Sequence, residues 1–183
     1  MADYEWNTAE LTGLAGRLRV FDTVSLSGVV YTARDAAHKK LFALLDAGKP
    51  LPFPLKGSTI YYAGPTQTPP GLAIGSCGPT TSGRMDPFAP RLLDLGLGAI
   101  IGKGEMSSEV AEALIRNKAC FFAAVGGAGA LIAKCIQKAE VIAFDDLGCE
   151  SIKRMTISEL PLTVALDCHG GNLYRTGRLE YER

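Results

Sequence analysis

Short apolar segments alternate with amphipathic ones through the second half of the chain, and this alternation limits the possible folds more than any other feature. The sequence predicts buried strands over residues 99–102, 120–125 and 141–144, with helices over 107–117 and from 126 to about 138. Consecutive parallel strands need a crossover between them, and a helix is the usual one. The pattern therefore predicts a largely parallel sheet with covering helices.

The first half of the chain is dominated by β-strand signals. Strands are predicted over 18–31 and 58–63, with a helix over 33–46 between them and a short strand leading into residue 75. Two more strands, 152–157 and 162–167, are predicted after the strand–helix alternation ends. The predicted fold class is therefore α/β, with a mixed β layer beside the largely parallel sheet.

The chain is expected to form one domain with a short extension at each end. Its 183 residues, 47% of them hydrophobic and 21% charged, suit a single core of ordinary size. The predicted division is an N-terminal arm over 1–17, with a weak helical pattern at 9–17, then a domain over 18–174 and a charged tail over 175–183.

Charge and cysteine content exclude several classes of protein. Nineteen basic and nineteen acidic residues cancel, which argues against a broad nucleic-acid-binding surface. The N-terminus has no apolar signal core and no apolar run reaches membrane-spanning length, so we expect a cytoplasmic protein without a membrane partner. The five cysteines include no C-x-x-C pair, so free thiols are predicted and no metal site is expected in this chain.

A turn rich in glycine and hydroxyl residues occupies residues 75–86, with the sequence GSCGPTTSGRMD. It precedes a helix predicted over 85–95, in which Pro90 favours a late start or a kink. Free backbone N–H groups at such a turn favour an anion, and Arg84 adds a charge that can grip a carboxylate at two points. A plain turn whose hydroxyl residue caps the next helix would explain the same pattern.

Two further cations favour the anion-binding interpretation. Arg34 opens the helix that follows the first β segment, where a positive charge opposes the helix dipole, and Lys103 follows the strand at 99–102. Ligand sites of α/β folds gather at such strand ends. Three cations with a hydroxyl-rich turn between them suit a small dicarboxylate, because each carboxylate gains a charge-assisted pair.

The segments that carry these residues are also similar to those of a known family. TARDAAH (32–38), GPTTSGRMD (78–86), GKGEM (102–106) and DCHGGN (167–172) resemble the β subunit of class I fumarases and L-tartrate dehydratases, which also occurs as the C-terminal domain of single-chain class I enzymes. The resemblance extends over about residues 18–174. It implies a swivelling β/β/α domain and the reversible hydration of a four-carbon dicarboxylate.

The resemblance also implies a partner and a cofactor. The partner is a fumarase α subunit in a hetero-oligomer, and three cysteines of that subunit hold a four-iron–four-sulfur cluster. The cluster's open iron acts as a Lewis acid on the substrate hydroxyl that leaves or enters. This chain is therefore expected to be inactive alone.

The family's site residues carry over to matching positions of this sequence. Arg34, Arg84 and Lys103 match the carboxylate-binding positions, and Thr81 is placed with them as a substrate-binding residue. Thr80 matches the hydroxyl proposed to transfer the proton next to a carboxylate. Because a lone threonine is a very poor base, that role needs cationic neighbours and a desolvated site, and Thr80 as a residue that only orients the substrate stays open.

The two histidines and one cysteine have less definite expectations. His38 lies one helical turn beyond Arg34, either facing the same site or serving as a hydrogen-bonded structural residue. Around His169, a turn role is expected for Asp167 and Asn172. Cys77 is expected to pack beside the turn rather than to bind a metal.

Several functions remain open on these residues. The first is a fumarate hydratase β subunit, and the nearest alternative is an L-tartrate dehydratase β subunit. A stand-alone anion-binding or regulatory domain without catalysis needs the same turn and cations but no partner. A nucleotide-dependent oxidoreductase is disfavoured, because the glycines at 126, 127 and 129 do not have G-x-G-x-x-G spacing.

Overall fold

The structure is a computed structural model that describes residues 1–179. Its strands are β1 (Asp3–Asn7), β2 (Thr23–Thr32), β3 (Thr59–Tyr61), β4 (Ala99–Gly102), β5 (Cys120–Ala123), β6 (Ile136–Ala143) and β7 (Ile152–Leu166). Its helices are α1 (Leu11–Leu14), α2 (Asp35–Asp46), α3 (Ala89–Asp94), α4 (Ser108–Asn117), α5 (Gly129–Lys134) and α6 (Leu173–Leu179). No helix in this part of the chain is long and apolar enough to cross a membrane.

The seven strands form one sheet in the order β1-β2-β3-β4-β5-β7-β6. Neighbouring strands from β1 to β5 are parallel, whereas β7 runs antiparallel to β5 and β6. A second antiparallel pairing joins β7 to β2. Because β7 pairs with both β2 and β5, the strands β2, β3, β4, β5 and β7 close a ring.

β7 reaches both partners because the two-stranded ribbon that it forms with β2 is bent. Glu159 lies in the middle of β7 with a φ of 53°, and its N–H donates to Ser27 Oγ at 2.9 Å. Opposite it the register with β2 shifts between Leu26 and Gly28. Gly28 has a φ of 117°, a backbone conformation that residues other than glycine rarely adopt. Such irregularities increase the local twist of a ribbon and turn it.

The central strands are apolar on both faces. Ile60, Ile100 and Phe121 pack in a buried cluster with residues of α2, α3 and α4. The residue after each of them points the other way, into a second cluster with residues of β2 and β7. Helices therefore cover one face of β3–β4–β5 and the bent ribbon covers the other. The predicted α/β class is confirmed, and the swivelling character stays a prediction.

Several elements form where the sequence predicted them. β4 covers the predicted residues 99–102, and α4 begins after Ser107, whose Oγ accepts the Val110 N–H at 3.5 Å. α4 ends at Asn117, and the next residue, Lys118, has the left-handed backbone conformation. α3 begins only at Ala89, with Pro90 in its first turn, which confirms the late start.

Other predictions were wrong in detail. The strand predicted at 141–144 begins at Ile136 as an antiparallel edge strand, and α5 before it ends at Lys134 instead of near 138. The polar residues of β6 face solvent, and for this reason the first part of the strand resembled the end of a helix. The two strands predicted over 152–167 are the single strand β7, and no strand leads into residue 75.

The two ends of the chain also differ from expectation. Residues 3–7 form β1, which pairs with β2 and was not predicted, whereas the weak helical pattern at 9–17 is confirmed as short helical turns. At the other end α6 takes up 173–179, and the last residues of the predicted tail, 180–183, lie outside the described residues. The division into arm, domain and tail stays a prediction.

His38 is fully buried in the first half of α2. Its Nδ1 lies 2.9 Å from the carbonyl oxygen of Arg34, one turn earlier. The ring stacks on Phe88 with centroids 5.3 Å apart and meets Tyr62 edge-on at 5.5 Å. Burial lowers the pKa of His38 from 6.5 to about 4. The structural role that the sequence left open is therefore confirmed for His38.

Gly28→Ala is expected to destabilise the protein by about 1–3 kcal/mol, because a side chain strains this backbone conformation and overlaps the hydroxyl of Thr8. Urea denaturation measures the effect. The control is Gly13→Ala in α1, where an added Cβ has no neighbour within 4 Å and alanine favours the helix. Equal losses of stability in both variants would contradict the expectation that a side chain at Gly28 strains the backbone.

Acid is expected to destabilise the protein through His38. Because its pKa is lower in the folded state, the unfolded state binds the proton first, so this contribution is complete above pH 6.5 and declines as the pH falls toward 4. Between pH 7 and pH 4 the free energy of unfolding of the wild type should fall by about 3 kcal/mol more than that of His38→Gln. Urea denaturation measures this free energy. If it changes with pH in the same way in both proteins, folding does not lower the pKa of His38.

Candidate functional site

The carboxyl ends of the four parallel strands β2 to β5 meet at one edge of the sheet. Arg34 follows β2, Lys103 follows β4, and the segments 62–64 and 124–126 follow β3 and β5. This edge is where α/β sheets collect ligands. Two of the three predicted cations therefore lie at the same edge, although they are distant in sequence.

The stretch 75–86 crosses this edge and is hydrogen-bonded to the strand ends. The Thr80 N–H donates to the Tyr62 carbonyl at 2.8 Å, and the Ser82 N–H donates to the Lys103 carbonyl at 2.8 Å. In return the Lys103 N–H donates to Ser82 Oγ at 2.8 Å. At the end of the stretch, Asp86 Oδ2 accepts the Ser107 N–H at 3.0 Å. These bonds place the hydroxyl-rich turn between the ends of β3 and β4.

The two threonines of the turn have different surroundings. Thr80 is half-buried, and its hydroxyl donates to the Tyr62 carbonyl at 3.0 Å. The lone pairs of Thr80 Oγ1 stay available to a ligand. Thr81 is exposed, and its backbone pairs with Lys103 in an isolated parallel bridge. Thr80 therefore lies at the end of β3 and Thr81 at the end of β4, and their roles toward a substrate stay predictions.

Arg34 lies at the first position before α2 but does not cap the helix. Its backbone is extended, and its side chain, 18% exposed, lies against Gly64 after β3. Its Nη2 is 3.5 Å from Glu150 Oε1 and 3.9 Å from Asp35 Oδ2. The side chain is therefore held over the sheet edge by two carboxylates, which offsets its unfavourable position at a helix N-terminus.

Arg84 also contacts the carboxylate of Asp35. Its side chain is 47% exposed, and its Nη1 lies 3.4 Å from Asp35 Oδ2. Arg34 and Arg84 thus share one carboxylate oxygen although they are fifty positions apart. The structure brings together these two predicted cations.

Lys103 completes the set beside the turn. Its side chain is exposed and passes close to Gly126, where an added Cβ would lie 2.8 Å from Lys103 Cδ. Within residues 1–179 its ammonium group is in no ion pair. Lys103 therefore offers a positive charge that the folded chain has not already neutralised.

Two site residues were not predicted from the sequence. The charge of Asp35 suits a helix N-terminus, which is a sufficient reason for its place in the sequence, although its neighbour Arg34 could have indicated an ion pair. Glu150 is 114 positions from Ala36, whose N–H it accepts, and no local pattern marks it. Both acidic residues become recognisable only when the fold brings α2, the 75–86 stretch and the segment before β7 together.

The cysteines and the second histidine do not form a metal site. Burial raises the pKa of the Cys77 thiol to about 12, and burial also raises that of Cys120. In the described part of the chain no three histidine, cysteine or acidic side chains are close enough to hold a metal ion. His169 Nε2 lies 2.8 Å from the Gly16 carbonyl.

Asp167 has the turn role that the sequence predicted. Its carboxylate accepts the N–H groups of Val20, His169 and Gly171 at 2.8, 2.9 and 2.9 Å. Asn172 likewise accepts the Tyr174 N–H at 2.9 Å, at the start of α6. The DCHGGN segment therefore stabilises local backbone.

A cavity of about 510 Å³ lies elsewhere, between β1, β2 and β7. Among the described residues its lining includes the acidic Asp3 and Glu5 and no arginine, lysine or histidine. A dicarboxylate would be repelled there, so the cavity does not compete with the strand-end site.

Comparison with known proteins finds a matching family model and several similar proteins. The sequence model of a family described as Fumarase C-terminus matches residues 5–177. Fumarate hydratase 2 of Leishmania major is 38% identical over 153 residues, which are 82% of this chain and 27% of that protein. The anaerobic class I fumarate hydratase of Escherichia coli (strain K12) is 36% identical over 168 residues, 91% of this chain and 31% of that protein.

A third relative is comparable in length to this chain. The putative L(+)-tartrate dehydratase subunit beta of Methanocaldococcus jannaschii is 37% identical over 164 residues, 86% of this chain and 84% of that protein. By contrast, the chain spans less than a third of the fumarate hydratases named above. With a match that covers almost all of its length, the chain belongs to the Fumarase C-terminus family.

Proposed function

We propose that this chain is the β subunit of a hydro-lyase that interconverts fumarate and L-malate. It supplies the cations that bind the dicarboxylate and the hydroxyl that transfers a proton. The observation that carries the proposal is the convergence of Arg34, Arg84, Lys103 and Thr80 at one sheet edge, in a chain of this family.

The cations are arranged for two carboxylates. Arg34 and Arg84 both lie within 4 Å of Asp35 Oδ2, so their guanidinium groups are close enough to bind one carboxylate together. Lys103, which pairs with the turn at Thr81, gives a point charge for the second carboxylate, and Thr81 adds a hydroxyl beside it. In this arrangement the substrate lies across the turn, next to Thr80.

Thr80 is proposed as the proton-transfer group. Its hydroxyl donates to the Tyr62 carbonyl, which fixes its orientation and leaves its lone pairs to the substrate. A threonine hydroxyl is a poor base at neutral pH, and its hydrogen bond to the Tyr62 carbonyl also favours the protonated form. A base role therefore needs nearby positive charges, which favour the deprotonated form. Arg84, four positions later, and Lys103, paired with Thr81, are the cations that can supply this effect.

The iron–sulfur cluster implied by the resemblance does not fit the residues described in this chain. Three clustered thiolates are required, and the buried thiols of Cys77 and Cys120 are held in their protonated form by burial. We therefore assign the cluster to an α subunit, with which this chain forms a cytoplasmic hetero-oligomer. The beta-subunit name of the Methanocaldococcus jannaschii relative supports such a partner.

The second candidate is an L-tartrate dehydratase β subunit. It is favoured by the Methanocaldococcus jannaschii relative, which is comparable in length to this chain. Fumarate and malate are preferred because the other relatives named above are fumarate hydratases. A non-catalytic anion-binding domain is the third candidate, since Arg34, Arg84 and Lys103 would serve it equally well.

The deciding experiment is anaerobic co-expression with the α subunit and iron–sulfur reconstitution, followed by assays with L-malate and with L-tartrate. Turnover of malate only when both chains are present would support the proposal. Turnover of tartrate alone would select the second candidate. An assembled, cluster-loaded complex that turns over neither substrate would leave the anion-binding domain.

In the assembled enzyme, Arg84→Ala is expected to lower kcat/KM for malate by about 10- to 100-fold. The reason is the loss of one charge-assisted carboxylate contact, about 1.5–3 kcal/mol. The control is Arg91→Ala, which removes an exposed arginine paired with Asp46 and should leave kcat/KM unchanged. Equal effects of the two substitutions would remove Arg84 from the substrate site.

Thr80→Val keeps the shape of the side chain and removes its hydroxyl, so kcat is expected to fall by about 10²- to 10⁴-fold, with a smaller change in KM. Thr80→Ser should retain much of the activity. Thr81→Val is the matched control and should raise KM while kcat stays near the wild-type value. If Thr80→Val keeps its kcat, Thr80 only orients the substrate.

A further inference from the structure

The candidate site contains a carboxylate of its own between the two arginines. Asp35 is the first residue of α2, and its Oδ2 lies 3.4 Å from Arg84 Nη1 and 3.9 Å from Arg34 Nη2. The arginines come from two separate elements, the start of α2 and the 75–86 stretch. Asp35 is thus the group that links the two cationic side chains.

These contacts are ion pairs without formed hydrogen bonds. Asp35 Oδ2 is buried and has no hydrogen-bond partner among residues 1–179, and Arg34 Nε is likewise buried and unpartnered there. A guanidinium has five N–H donors. Asp35 therefore attracts both groups by charge without taking a hydrogen bond from either guanidinium group.

Glu150 holds Arg34 from a second direction. Its Oε2 accepts the Ala36 N–H at 2.9 Å, at the N-terminus of α2, and its Oε1 lies 3.5 Å from Arg34 Nη2. An added Cβ at Gly64 would lie 2.6 Å from Arg34 Nη1, so the backbone after β3 closes a third side. Arg34 is thereby fixed on three sides, whereas Asp35 is the acidic group in contact with Arg84.

We propose that Asp35 is a positioning residue for dicarboxylate recognition, whose charge holds Arg34 and Arg84 side by side for one substrate carboxylate. This inference rests on the proposed function of the site. The opposite role would be that of a competitor, in which Asp35 occupies the arginines until the substrate displaces it. The unused N–H donors favour positioning, because a competitor carboxylate would take those hydrogen bonds itself.

The two roles predict opposite changes in KM. In the enzyme assembled with its α subunit, Asp35→Asn should raise KM for the dicarboxylate by about tenfold and change kcat much less, because the arginines lose their common anchor. The double variant Asp35→Asn, Arg84→Ala should lose less than the sum of the two single effects, because part of the effect of Asp35 runs through Arg84. An unchanged or lowered KM, or fully additive effects, would overturn the proposal.

Asp46→Asn is the matched control. It removes an aspartate from the other end of α2 that pairs with an exposed arginine, Arg91, at 2.6 Å. Asp46→Asn should leave KM unchanged. A tenfold rise in both variants would mean that KM responds to any loss of charge on the helix, and the specific role of Asp35 would be wrong.

A second measurement does not depend on turnover. Isotope-edited NMR of the arginine side chains in the full chain should show that Asp35→Asn shifts the guanidinium resonances of both Arg34 and Arg84. It should mobilise Arg84, whose ion-pair partner among residues 1–179 is Asp35, while Asp46→Asn should affect neither arginine. If the wild-type complex turns over no substrate, the proposed function fails while this spectrum still tests the anchor. Undisturbed Arg34 and Arg84 resonances in Asp35→Asn would overturn the positioning role.

Discussion

The double pairing of β7 is the constraint on which the rest of the structure depends. One strand of fifteen residues is antiparallel to β2 along most of its length and to β5 at its end. This closes the ring of strands and buries the inner faces of β3, β4 and β5. With their other faces covered by helices, these short strands can present functional groups only at their ends, and the predicted cations Arg34 and Lys103 follow the carboxyl-terminal ends of β2 and β4.

The site is built by hydrogen bonds between backbone segments before any side chain contributes. The 75–86 stretch bonds to Tyr62 and Lys103, so the turn is held at the ends of β3 and β4. Arg34 is held nearby through His38, which bonds to its carbonyl from within the core. Because main-chain bonds fix these anchors, the charged side chains begin from defined positions and need only small adjustments to reach a ligand.

The sequence predicted the parts of this structure that depend on local chemistry. β4, α4 and the late start of α3 follow from apolar periodicity, a serine cap and a proline. The bend at Glu159, the antiparallel β6 and the contact of Glu150 with Arg34 arise from packing between distant segments. A linear pattern holds no signal for such pairings, and so the anchoring carboxylates were missed.

The exposure of the site explains why the proposed function needs a second protein surface. Arg84 is 47% exposed, and Lys103 is also exposed. Ion pairs at such positions are weak, because water screens the charges and competes for the donors. The same contacts become much stronger when the site is closed and water is excluded. If an α subunit covers this edge, the cations, the hydroxyl of Thr80 and the substrate become desolvated together, and both tight binding and proton transfer then depend on assembly.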